Sequence, residues 1–471
     1  MAQTFFFYDL ETSGLNPRQD RIMQFAGQRT DMNLEPIGEP YNLLVTLNDD
    51  TLPSPDALMV TGITPQKTVE EGYSEAQFAR MLSEEIFTPE TIAVGFNNIR
   101  FDDEFIRHLL WRNFHDPYEW SWKEGRSRWD LLDVVRLTRA LRPEGINWPL
   151  DAKGEPSNRL ELITSANSIA HENAHDALAD VTALIAVTKL IKQKQPQLYD
   201  YLLKMRDKKV VQQLVNVDGK KPFVYASGRY DKEFAKTTVA FPLTTSRNGG
   251  VVVYDLRYDP TPFVELSTEE LSKKIFASWE ERQAEDFVKL PVKELQYNRC
   301  PAVAPLGVLE QGDGWQKISL DLKTVQKHQN ILLNHPDFAE KLRTIFENKP
   351  AFKKLPDPEA QLYDGFLNDR DRLRVEAVRN ADERELADFH PEFQDERLAP
   401  LLLHYKARNF PRSLSEDDLV QWEAWRSQHL QAQLPQFMAS LQRLASTATD
   451  EQQFILQELQ LWAEAVLPSS D

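Results

Sequence analysis

A chain of 471 residues with 41% hydrophobic residues can fill several cores and suggests about three domains. Its formal charge of −18 excludes a uniformly basic surface, so any contact with nucleic-acid phosphates has to come from local basic segments. The single cysteine, Cys300, excludes an intramolecular disulfide framework and fits a reducing compartment.

The first strand is predicted at Thr4 to Tyr8. It is too short for a secretory signal and has no basic leader, and no later stretch approaches the roughly 20 apolar residues that span a bilayer. A cytoplasmic protein without membrane contact is expected. The strand runs into Asp9-Leu10-Glu11-Thr12-Ser13-Gly14. Strand side chains alternate between faces, which puts Asp9 and Glu11 on the same side, where a divalent cation would relieve their repulsion. Strands follow at Arg21 to Thr30 and Tyr41 to Val45, then a helix at about Glu75 to Phe87 and a strand at Thr91 to Gly95. A helix starts near Asp102, anchored by Phe101, Phe105 and Leu109; Asp102, Asp103 and Glu104 could each cap it. Further helices begin after Asp130, Arg159 and His175. In His175-Asp176-Ala177-Leu178-Ala179-Asp180, the histidine and Asp180 share a site only if His175 lies at or before the first turn. Asp180 faces inward among alanines and leucines, and a buried carboxylate needs a partner or a metal.

The polar run Lys192-Gln193-Lys194-Gln195-Pro196 is a plausible exit from a first domain, residues 1–196, in which strands precede helices as in a mixed sheet flanked by helices. After helix-like Leu198 to Met205, residues 197–349 alternate short β pieces (Pro222 to Ala226, Thr237 to Pro242, Gly250 to Leu256) with turns. Nine basic residues between Lys204 and Lys236 stand against four acidic ones, and a solvated face is the default reading of such a run. Residues 350–471 are helical and highly charged, most clearly over Gln421 to Leu444 and Glu451 to Val466.

Taken in order, these acidic motifs resemble the DEDD exonucleases of the ribonuclease-H-like fold, in the branch whose third motif carries histidine. The runs Ser127-Arg128-Trp129-Asp130-Leu131-Leu132-Asp133, Leu141-Arg142-Pro143-Glu144-Gly145-Ile146-Asn147-Trp148-Pro149, Ala360-Gln361-Leu362-Tyr363-Asp364-Gly365-Phe366 and Ala407-Arg408-Asn409-Phe410-Pro411 resemble, more narrowly, the exonuclease I family of bacterial single-strand DNA exonucleases. The resemblance covers nearly the whole chain. It implies an α/β ribonuclease-H-like exonuclease domain, an SH3-like β-rich domain and a C-terminal helical domain closing the DNA channel. A fragment ending near Pro196 is then expected to keep weak activity on short strands.

The implied activity is stepwise 3′→5′ hydrolysis of single-stranded DNA to 5′-mononucleotides, in DNA repair and recombination, by a two-metal mechanism. Asp9, Glu11 and Asp180 are assigned to the principal Mg²⁺, Asp9 and Asp102 to the second, and His175 to the attacking water; Mn²⁺ is the expected substitute. Between Arg107 and Arg128 aromatic and basic residues interleave, which suits stacked bases and neutralised phosphates. Trp111 and Trp129 read as core, Tyr118 and Trp122 as base contacts. Glu11 and Arg159 are assigned to the terminal nucleotide, Arg107 and Arg136 to phosphates, and Tyr363 and Phe366 to DNA or, equally, to packing between domains. The family also implies docking of the C-terminal tail of single-stranded-DNA-binding protein at Arg142, Tyr201 and Lys221, beside Leu309-Glu310-Gln311, which supplies acid where a base would help. A monomer is expected. The competing readings are a proofreading or RNA-trimming exonuclease with the same centre, and an inactive recruitment module.

Overall fold

The computed structural model describes residues 2–171, 176–247, 249–349 and 354–468. The chain divides into two compact units, one of residues 1–127, 171–185 and 353–471, the other of residues 128–170 and 186–352.

In the first unit, β1 (Thr4–Thr12), β2 (Ile22–Thr30), β3 (Tyr41–Leu44) and β4 (Thr91–Gly95) lie in the order β3-β2-β1-β4. β1 runs antiparallel to β2 and parallel to β4, with Phe7 beside Val94. β1 is longer than the apolar run alone predicts. Asp9 pairs with Ala26 and Glu11 with Gln24, so both acids sit in the ladder and inherit its alternation. Gly27 is required opposite β1, because a Cβ there would stand 2.3 Å from the Phe6 ring. Phe6, Tyr8, Phe25, Phe78, Phe87, Phe105 and Trp120 fill one face of the sheet.

The helix expected from Glu75 to Phe87 is α-helical only over Glu75–Met81, started by a Ser74/Gln77 capping box, and continues as a π turn over Leu82–Ile86. The wider turn keeps Leu82, Ile86 and Phe87 all buried.

The C-terminal segment belongs to this same unit. Its helices Glu416–Ala445 and Asp450–Val466 pack Leu430, Phe437, Leu459 and Trp462 against Met23, Leu47 and Leu58. Each helix starts at a capping box, Ser415/Asp418 and Thr449/Gln452, ahead of the apolar residues that announce it in the sequence. A third cluster joins Trp111 and Phe114 to Leu362, Leu398, Leu401 and Tyr405.

β5 (Ser127–Asp130) carries the chain toward the second unit. There β6 (Phe223–Ala226), β7 (Thr237–Thr245), β8 (Val251–Asp255), β9 (Val292–Leu295) and β10 (Ala302–Pro305) form an antiparallel sheet in the order β10-β6-β7-β8-β9. Val211, Phe223, Tyr225, Val251, Leu295 and Val303 form its core. Pro196 opens the helix Pro196–Lys204, where its missing N–H costs nothing.

Candidate active site

The carboxyl ends of the parallel strands β1 and β4 supply the first acids, since loops leaving such strand ends form the crevice of an α/β sheet. Asp9, Glu11 and Asp180 place carboxylate oxygens within 4.8 Å of one another. Asp180 arrives on the helix Ala177–Lys194, whose first turn is braced by the Asp176 carboxylate accepting the Ala179 N–H at 3.0 Å.

Three consecutive acids after β4 separate into different tasks. Tyr8 donates its hydroxyl to Asp103, and Asn98 Nδ2 donates to that hydroxyl at 3.2 Å and to Asp103 Oδ1 at 3.3 Å, tying β1 to the helix Asp102–Arg112 from behind. Glu104 accepts from Arg107 at 3.0 Å and from the Tyr363 hydroxyl at 2.5 Å. The N-cap position of that helix is Phe101 rather than Asp102, and the charge of Asp102 acts on Asp9 and Glu11. The three alternatives left open by the sequence thus have distinct environments.

Burial, followed by the charges of Asp102, Glu11 and Asp180, pushes the Asp9 carboxyl well above the usual range. Burial and the charges of Asp180, Asp102 and Asp176 push Glu11 up to about 8. Acids crowded this closely in a desolvated pocket need compensating positive charge. Their donors are hard carboxylate oxygens, and they fit divalent cations such as Mg²⁺ or Mn²⁺.

His175 lies outside the described residues. A histidine that the sequence reading missed, His171, is half-buried, with its side chain turned inward and its Nε2 2.6 Å from Asp180 Oδ1. The spacing His171-x-x-x-His175 was the available signal.

Asp357, Glu359 and His404 also cluster. Glu359 is already held by Arg408 at 2.6 Å, Arg21 at 2.9 Å and His404 at 2.8 Å. A cation placed there would face two arginines, so charge repulsion disfavours a second metal centre.

Several residues assigned to the DNA strand meet in one aromatic cluster. The Arg107 guanidinium lies over the Tyr118 ring at 5.6 Å, and Tyr118 lies 5.9 Å from Phe366 and 6.4 Å from Tyr363. Arg107 also donates to the Tyr363 hydroxyl at 3.3 Å, so Tyr363 joins the two parts of this unit while Phe366 remains 82% exposed. Trp122 is 63% exposed, whereas Trp111 and Trp129 are core, as expected. In the second unit, Arg136 is paired with Asp133 at 2.5 Å, and the exposed Arg159 is paired with Glu161. Arg142 reaches Gln311 Oε1 at 3.3 Å, Tyr201 donates to the Val303 carbonyl at 3.1 Å, and Lys221 is exposed. Glu310, the unfavourable acid of that region, accepts the Trp315 indole N–H at 3.2 Å.

A mixed sheet presenting clustered acids at its strand ends defines a hydrolytic nuclease of the exonuclease class, and the exonuclease family model matches residues 6–188. Models of the exonuclease I SH3-like domain and the exonuclease I C-terminal domain match residues 206–348 and 356–466. The chain is 40% identical to exodeoxyribonuclease I of Haemophilus influenzae over 95% of both chains. It matches the crystal structure of Escherichia coli exonuclease I in complex with a dA16 oligonucleotide with a TM-score of 0.94 and 38% identity, covering 99% of this chain and 100% of that one. The structure of SSB/exonuclease I in complex with the inhibitor CFAM matches at 0.89 and 37%, with the same coverage. The chain belongs to the exonuclease I family.

Proposed function

We propose that the chain is a metal-dependent exonuclease that degrades single-stranded DNA from the 3′ end to 5′-mononucleotides, in DNA repair and recombination. The convergence of Asp9, Glu11 and Asp180, with the charge of Asp102 acting on the first two, carries this reading. The oligonucleotide held by the Escherichia coli relative supports the choice of strand.

Asp9, Glu11 and Asp180 would hold the principal Mg²⁺, for which Mn²⁺ can substitute, and Asp9 with Asp102 the second. Bound ions of this kind supply a Lewis acid and offset charge on an attacking hydroxide and a departing 3′ oxyanion. His175 orients the attacking water and withdraws its proton, a task suited to an imidazole near neutrality. Glu11 and Arg159 position the terminal nucleotide. Tyr118, Trp122 and Phe366 offer ring faces to unpaired bases, and Arg107 and Arg136 address phosphates. Tyr363 orders Arg107 and Glu104 beside that path.

The protein acts as a cytoplasmic monomer that also receives the acidic C-terminal tail of single-stranded-DNA-binding protein at Arg142, Tyr201 and Lys221, a reading supported by the SSB/exonuclease I structure of the relative. A tail ending in apolar residues and a carboxylate needs a basic rim beside an apolar pocket. Titration of a labelled tail peptide should show weaker binding by Lys221→Ala and weaker binding by both proteins as salt rises. Salt-insensitive isotherms shared by the two proteins would remove the docking assignment.

Matched DNA and RNA strands separate this function from an RNA-trimming enzyme. Mononucleotide release should occur from the DNA strand and require Mg²⁺ or Mn²⁺. Faster release from RNA would favour the alternative.

A further inference from the structure

The second unit brings two cations to one glycine. Arg136 projects from the helix Leu131–Leu141, and Lys236 from the end of the loop that follows β6. That loop is closed by the Ser227 N–H donating to the Lys236 carbonyl at 2.9 Å and by the Lys236 N–H donating to Asp231 O at 3.0 Å. Ala235 and Lys236 are both left-handed, at φ of 51° and 57°, which turns the lysine back across the loop. Its Nζ donates to the Gly228 carbonyl at 3.4 Å.

Gly228 lies directly against the guanidinium of Arg136, so that a side chain here would have to push that group aside. A Cβ there would stand 2.9 Å from Arg136 Nη2, 3.1 Å from its Cζ and 3.2 Å from its Nη1, near-equal distances that put the guanidinium face against this residue. Arg136 Nη1 is bound to Asp133, but Nε is buried without a hydrogen-bond partner, and Nη2 makes no hydrogen bond among the described residues. The acid beside Lys236, Asp231, accepts the Tyr258 hydroxyl at 2.9 Å. Lys232, from the same loop, is paired with Glu155. Burial and then the charge of Arg136 lower the Lys236 ammonium from its ordinary value. Two neighbouring cations with one carboxylate paired to the arginine leave a local demand for an anion. A guanidinium edge beside an ammonium suits an oxyanion with several acceptor oxygens.

We propose that Arg136 and Lys236, set around Gly228, form a two-cation clamp on a backbone phosphodiester of the DNA strand. The inference deepens the single-strand reading above, on which it rests, by adding Lys236 and the glycine that seats Arg136 as determinants of strand binding. Phosphate contacts of this type fix a strand's position without reading its bases.

The test is fluorescence anisotropy of a labelled oligothymidylate with the full chain in chelator, at several salt concentrations, for wild type, Lys236→Gln, Lys236→Arg and Gly228→Ala. Lys236→Gln should bind about threefold to tenfold more weakly, with a salt slope lower by ~0.7, the value for one phosphate contact on a single strand. Lys236→Arg should restore affinity and slope. Gly228→Ala, which displaces Arg136 without removing a charge, should also weaken binding, with an unchanged melting temperature showing that the fold is intact. Wild-type affinity and slope in Lys236→Gln would overturn the clamp while leaving the single-strand reading in place. Failure of the wild type itself to bind the oligonucleotide would overturn both. Selective stabilisation of wild type over Lys236→Gln by inorganic phosphate, with equal DNA affinity, would show a site for free phosphate and also overturn it.

Discussion

Asp102, Asp103 and Glu104 show how neighbouring identical charges acquire different chemistry from their surroundings. Asp103 is fixed by Tyr8 and Asn98, Glu104 by Arg107 and Tyr363, and Asp102 acts on the pocket of Asp9 and Glu11. Asp9→Asn and Asp180→Asn each remove a charged ligand at nearly constant volume. Both variants are expected to lose turnover while keeping the wild-type melting temperature within a few degrees, and a wild-type rate for Asp9→Asn at saturating Mg²⁺ would contradict the assignment. His175→Ala should lower kcat by about 10²–10⁴-fold, the usual contribution of a general base; a loss of less than about tenfold in single-turnover measurements would remove that role. The pairing of Asp9 with Glu11 was legible because strand alternation is a local rule. The choice among the three acids after β4 was not, because Tyr8 and Asn98 act from places that only the fold brings together. His171 escaped for a similar reason: the spacing His171-x-x-x-His175 is its one local signal, and only the fold brings it to Asp180.

A chain of buried ion pairs joins elements far apart in sequence. Arg112 holds Glu75 at 2.6 Å, Arg21 holds Glu359 at 2.9 Å, and Arg408 holds Asp50 at 2.7 Å and Glu359 at 2.6 Å, with every one of these side chains at most 2% exposed. The run Ala407-Arg408-Asn409-Phe410-Pro411 thereby gains a structural explanation, since Arg408 joins this network and Asn409 accepts the Ala76 N–H at 3.1 Å. No sequence period reports such pairs. Removing one partner strands the others without water, so Glu359→Gln should cost about 3–5 kcal/mol. Chemical denaturation checks this, and a cost under about 1 kcal/mol would mean the network relaxes freely.

These groups also set the acid limb of stability. Arginine charges hold Asp50, Glu75 and Glu359 below the usual carboxylate range despite burial, so their contribution is complete above the unfolded values near ~4 and is lost as pH falls through the lower folded values. Burial lowers His108 to about 4 and His115 to about 3. Their contribution is complete above the unfolded value of about 6.5 and declines as pH falls from there toward the folded values. With Mg²⁺ saturating the acidic pocket, so that the raised Asp9 and Glu11 carboxyls do not add an opposing gain, thermal melts should therefore show a gentle loss starting below pH ~6.5 and a steeper one below ~4. His115→Gln should flatten the upper part of that curve, and an unaltered slope would contradict it.

At the scale of the molecule, the order of strands and helices was readable because each apolar run is local, but the way the chain is shared between units was not. The segment beyond residue 353 packs with the first strands, placing Leu430, Leu459 and Trp462 over Met23, Leu47 and Leu58. A fragment ending near Pro196 would expose that core and leave Arg21 and Asp50 without Glu359 and Arg408. The weak activity expected of it from sequence gives way to a different outcome, an unfolded chain lacking a cooperative melt by circular dichroism; a sharp transition would contradict this. The central claim, metal-dependent digestion of a single strand from its 3′ end, is tested most directly by incubating a 5′-labelled single strand and its duplex with the full chain in Mg²⁺ and in chelator. A ladder of progressively shorter labelled fragments from the single strand, in Mg²⁺ only, is the predicted result. Immediate release of the label as a mononucleotide, equal digestion of the duplex, or digestion in chelator would contradict it.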